Sequence, residues 1–108
     1  MRRGEDKHTK DRARARLDAF EEAIRDFLEY MRYERDASDN TLKAYANDLS
    51  SWRQFCDEAG SKLFPIEPAL VMRYMTRLEA EGLSLGTRNR RAATLSSFSK
   101  FLMYDGIV

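Results

Sequence analysis

Four cations stand in the stretch GLSLGTRNRRAATLSSFSKFL, from Gly82 to Leu102: Arg88, Arg90, Arg91 and Lys100, with no acid among them. Guanidinium and ammonium groups with no acid beside them attract phosphate, and an arginine can also pair with the edge of guanine. Thr87 and Thr94 add hydroxyls to the same stretch. A second set lies upstream in Asn40, Thr41, Lys43, Ala44, Asn47 and Ser51. Such residues suit a DNA groove, with Lys for phosphate, Asn for adenine and small side chains for close approach. They suit plain solvent equally well, as any polar helix face does.

Other chemistries lack their parts. The five glycines are scattered, so no phosphate-cradling loop is present. His8 is the only histidine and sits in a charged leader, which leaves Ser and Thr without a candidate base and rules out a Cys/His metal set. Cys56 is the only cysteine, so no internal disulfide can form, and a reducing cytoplasm fits. No apolar run approaches the roughly 20 residues that cross a bilayer, so no membrane partner is expected. No catalytic residue, metal or cofactor is expected in this chain.

The elements that must position the two polar sets are helices. Phe20, Ile24, Phe27, Leu28 and Met31 form one stripe of a first helix over 18–35. Ser38 can cap a second helix, whose buried stripe is Leu42, Tyr45, Leu49, Trp52 and Cys56 and whose stop is Gly60. Leu63, Phe64 and Ile66 belong to a connection tucked under the domain. Pro68 suits the first turn of a third helix, with Val71, Tyr74, Met75 and Leu78 inward. Ser84 caps a fourth, with Ala92, Leu95, Phe98, Phe101 and Leu102 inward, and Gly106 ends it. No period-two strand pattern occurs, so the fold is an all-α bundle of four helices. A stripe centred near Leu95 points Arg90 and Thr94 away from the core, with Arg91 flanking it and Arg88 on its line near the helix end. Arg90 and Lys100 both fall at exposed positions. The second and fourth helices each open with Ser-x-x-Thr, at Ser38/Thr41 and Ser84/Thr87. Free N–H groups and hydroxyls at a helix amino end favour an anion such as phosphate.

The formal net charge of +1 conceals a strong asymmetry. Residues 1–16 hold seven Arg/Lys against three acids, residues 18–36 hold seven acids against three Arg, and Ser84 to Met103 carries +4. Residues 1–17 therefore read as a charged, disordered leader, because they lack the apolar side chains that packing needs. Residues 18–108 read as one helical domain.

FLEYMRYERDASDNTLKAYANDLSSWRQF resembles the opening of the amino-terminal domain of tyrosine recombinases, the phage integrases and Xer-type enzymes. The matching positions are Ser38, Thr41, Tyr45, Asp48, Leu49, Trp52 and Phe55. The last helix of that domain is matched by Gly82, Leu83, Ser84, Thr87, Asn89, Arg90, Leu95, Phe98, Phe101 and Leu102. Ala92 and Ser99 depart from the pattern, where larger apolar and aromatic residues are usual. They imply a looser core at that layer, or an altered contact with another domain. The resemblance implies a SAM-like core-binding domain that forms half of a clamp on double-stranded DNA at a recombination site, facing DNA with its second and fourth helices. The DNA-facing set is then Asn40, Thr41, Lys43, Ala44, Asn47, Thr87, Arg88, Arg90, Arg91 and Thr94. The catalytic domain of the same full-length protein and a recombinase multimer are the implied partners, and the segment itself is non-catalytic. Two alternatives stay open: a stand-alone DNA-binding regulator, and a helical protein-interaction module whose basic helix meets an acidic partner.

Overall fold

The computed structural model describes residues 19–106. Among them the chain is all helix and connection, with four helices and no strand. Helix α1 covers 19–33. Helix α2 is Asp39–Ala59, α3 is Pro68–Ala80 and α4 is Leu85–Tyr104. The leader expected over 1–17 lies outside the described residues.

The helix ends follow the local chemistry of the sequence. Ser38 and Ser84 are both extended, and each Oγ accepts the backbone N–H three residues on, from Thr41 and from Thr87 at 3.2 Å. Each serine hydroxyl in turn donates to the threonine hydroxyl, at 2.9 Å for Thr41 and 3.1 Å for Thr87. Gly60 closes α2 at φ 67, a left-handed geometry that a residue without Cβ adopts freely. Pro68 takes the first turn of α3, where its missing N–H costs nothing. Ser38→Ala and Ser84→Ala should each lower unfolding free energy by about 1 kcal/mol. Urea denaturation of the single and double variants checks this, and the two losses should add.

The core is largely aromatic. Phe20, Trp52 and Phe98 are completely buried and Phe27 nearly so. Phe98 of α4 sits edge-on to two rings of α1, Phe20 at 5.6 Å and Phe27 at 5.3 Å between centroids. Phe101 extends that seam to Phe27 and Tyr30. At the other end Trp52 and Phe55 of α2 pack on Tyr74 of α3, and the indole N–H donates to the Leu63 carbonyl at 3.2 Å. The aromatic residues singled out in the sequence are thus core, as their spacing implied. Helix α4 packs against both α2 and α3 and makes the ring contacts to α1, so it has neighbours on several sides.

Ala92 and Ser99 border a surface hollow between α3 and α4, together with Ile66, Pro68, Val71, Leu95, Ser96 and Lys100. No described helix is long and apolar enough to cross a membrane.

Candidate nucleic-acid interface

The two polar sets meet where α2 packs on α4. Thr41, Ala44, Tyr45 and Asp48 of α2 line one hollow with Arg90, Ala93, Thr94 and Ser97 of α4. Asn40, Lys43 and Asn47 stand exposed along α2 beside it. Their row lies between the α4-facing Asp48 and the residues Ala46, Ser50 and Arg53, which border α1 with Glu21, Ile24, Arg25 and Leu28. An open face carrying amide, ammonium and guanidinium groups therefore runs from α2 onto the first turns of α4.

At its centre is a carboxylate. Asp48 is only 1% exposed, yet three α4 side chains converge on it. Arg90 donates to it twice, from Nε at 3.2 Å to Oδ2 and from Nη2 at 2.7 Å to Oδ1. The Thr94 hydroxyl donates to Oδ2 at 2.8 Å. Arg91 Nε lies 3.8 Å from Oδ1, an ion-pair distance, although that buried N–H makes no hydrogen bond. Arg91 Nη1 donates instead to Ser51 Oγ at 2.9 Å, and Ser51 shares a 2.7 Å hydrogen bond with the Tyr74 hydroxyl. The network thus ties α4 to α2 and, through Tyr74, to α3. A buried carboxylate needs such partners, because desolvation without them costs several kcal/mol. Its hydrogen bonds and charge hold the Arg90 guanidinium in its charged form and raise its pKa further.

These positions revise the outward set. Thr94 is 1% exposed and bonded to Asp48, so the expectation that it points outward is corrected. The physical reason is the width of the buried arc of α4. Centred on Phe98 rather than Leu95, that arc includes Thr94 at about 40° and leaves Arg90 at its edge, about 80° away. Arg90 is exposed over 51% of its side chain but pinned at its inner edge. It is therefore not a freely moving surface cation, and its removal would leave Asp48 under-partnered. Arg91 is 23% exposed. Arg88 turns towards the α3–α4 connection, where Nε donates to the Leu83 carbonyl at 3.2 Å and Nη1 pairs with Glu79 at 3.5 Å. Thr41 and Thr87 are half-buried and engaged by the capping serines. Ser51, outward by helix angle, bridges Arg91 and Tyr74.

Asp48 was noticed in the sequence only as part of a recurrent pattern. A sharper signal was available: an acid three residues after Tyr45 and four before Trp52 lies on the buried stripe of α2. An acid so placed requires a cationic partner, and α4 has adjacent arginines.

A four-helix bundle with capped α2 and α4 and a polar α2–α4 face defines a class. The chain belongs to the family described as phage integrase, N-terminal SAM-like domain, whose pattern matches residues 24–106. Its relatives include proteins named tyrosine recombinase XerD from Agrobacterium fabrum, 33% identical over 78% of this chain and 25% of the relative, and from Caulobacter vibrioides, 38% identical over 74% and 26%. A tyrosine recombinase XerC from Listeria monocytogenes is 35% identical over 76% of this chain and 28% of the relative. The chain therefore spans about a quarter of the length of the curated relatives it matches. No solved structure matches it significantly.

Proposed function

We propose that this domain binds double-stranded DNA through the α2–α4 face, as the core-binding part of a tyrosine-type site-specific recombinase acting in DNA integration and recombination. The catalytic domain of the same full-length protein is the partner that would complete a clamp on the recombination site, and strand cleavage and rejoining belong to that domain. The observation that carries the reading is that the exposed Asn40, Lys43 and Asn47 of α2 neighbour the hollow that Thr41, Ala44 and Asp48 line with Arg90 of α4. Amides and cations held on adjacent helices can contact bases and phosphates together, which dispersed surface charges do not. The amino end of α4 adds unpaired backbone N–H groups with no acid in the first turn to oppose phosphate, whereas α2 has Asp39 there. The α1 carboxylates Asp26 and Glu29 line a different hollow, with Phe101, Tyr104 and Asp105 at the carboxyl end of α4.

The test compares Arg90 with Lys100. Lys100 borders the α3–α4 hollow, on another side of the same helix. In mobility-shift titrations with duplex DNA, Arg90→Ala should weaken binding by about 5- to 150-fold if it reads a base. A contact with phosphate alone would give a smaller loss, uniform across sequences, with a salt slope reduced by about one. Lys100→Ala should change affinity by less than about twofold. Arg90→Ala should also destabilise the fold by about 1–3 kcal/mol, since Asp48 loses two of its hydrogen bonds, so titrations are compared at temperatures where thermal melts show both proteins folded. Equal losses from both variants would indicate a diffuse basic surface, and no loss from either would remove the reading.

A further inference from the structure

Arginine has five N–H donors in a planar fork. In Arg90 one edge is occupied, because Nε and Nη2 donate to Asp48. Nη1 and the second hydrogen of Nη2 form the other edge, and none of their hydrogens is taken by another side chain among the described residues. The guanidinium is thereby held in one plane while half of the side chain stays open. Its free edge presents parallel donors, the pattern that matches O6 and N7 of guanine in the major groove. The Asp48 charge also opposes what a phosphate would seek. Asp48 bonds Arg90 twice and meets Arg91 only at 3.8 Å, so its charge offsets Arg90 the more, and Arg90 offers directed hydrogen bonds more than a free cation would. Lys43, exposed and with no carboxylate fixed against it among the described residues, suits phosphate better.

We propose that Asp48 is a specificity-determining positioning residue: by clamping the inner edge of Arg90 and offsetting its charge, it makes Arg90 a reader of guanine rather than a phosphate cation. The inference rests on the DNA-binding reading above. Asp48 itself is buried and touches no DNA; it acts through Arg90, and Thr94 holds the second lone pair of Oδ2 in place. The pair differs from a structural salt bridge in one respect. A merely structural Asp48 would, when neutralised, weaken all DNA binding in proportion to the fraction unfolded. A positioning Asp48 separates sequence preference from overall affinity.

The experiment uses the full chain with a randomised 30-bp duplex pool, bound, separated and sequenced, and with the unselected pool titrated at two salt concentrations. Wild type should enrich guanine at one position by at least about fivefold, the lower limit for a bidentate arginine–guanine pair. Asp48→Asn should erase that enrichment while binding the unselected pool as tightly or more tightly, with a salt slope steeper by up to about 0.9, because the freed Arg90 can reach phosphate. Arg90→Lys tests the same point at a half-exposed site, in case Asp48→Asn does not fold: the charge remains, the fork is lost, and the enrichment should vanish while the pool is still retarded at low salt. Enrichment that persists in Asp48→Asn, or in Arg90→Lys where Asp48→Asn does not fold, overturns the proposal and leaves DNA binding intact. So does a wild type that binds without guanine preference. A wild type that fails to retard the pool at low salt defeats the DNA-binding reading itself, and the proposal with it.

Discussion

Raising monovalent salt from 50 to 200 mM should weaken binding to an arbitrary duplex by about 40-fold. The estimate starts from the groups the face can offer phosphate. Lys43 and the amino ends of α2 and α4, taken as one contact each, make about three contacts, with Arg90 left out because Asp48 offsets its charge. Each contributes about −0.9 to the slope of log affinity against log salt on duplex DNA. By charge alone the basic segment and both helix ends suggest about three to six contacts. The lower part of that range follows from the structure, because Arg88 is engaged by Glu79 and the Leu83 carbonyl, and Asp48 neutralises one of the arginine pair. Cations of residues 1–16 would steepen the slope, so the measurement is made on the full chain and on a variant lacking them. Fluorescence anisotropy with a labelled duplex at four salt concentrations reads the slope directly. Binding that does not respond to salt would favour a helical protein-interaction module over a DNA-binding domain.

Phe98→Ala should cost about 3–5 kcal/mol, the range for deleting a buried aromatic ring. Phe98 has no exposed surface and joins α4 to Phe20 and Phe27 of α1. Domains of this size are commonly stable by only about 5–15 kcal/mol, so the loss removes a large part of the total. At about 4–8 °C per kcal/mol near the midpoint, Tm should fall by roughly 12–40 °C. Phe98→Leu keeps most of the buried volume and should lose much less. Circular dichroism melts of the three proteins decide the point. A loss below about 1 kcal/mol for the alanine variant would mean that α1 is not held by this ring, and the packing of the bundle would need revision.

Much of the fold was legible because it depends on local chemistry. Ser38 and Ser84 cap their helices with their own side chains, and Gly60 and Pro68 act at the residue where they stand. Apolar spacing of three and four residues marked the stripes of α1 to α3. The same reasoning reached the exposed row of Asn40, Lys43 and Asn47, which lies on a helix with a clear inner and outer side.

It failed where a helix has more than one inner side. Helix α4 is contacted by α1, α2 and α3, so its buried arc exceeds any stripe drawn through Leu95, and Thr94 falls inside it. Nor could spacing alone pair Asp48 with Arg90, because the two are 42 residues apart and their meeting depends on how α2 crosses α4. By itself the sequence determined the helices, their ends, the aromatic core and a surplus of cations near the amino end of α4. Only the tertiary structure decided which of those cations stay open and which are spent inside the fold. Hydrogen-bond geometry and desolvation act over a few ångströms in space, and chain order does not encode that distance.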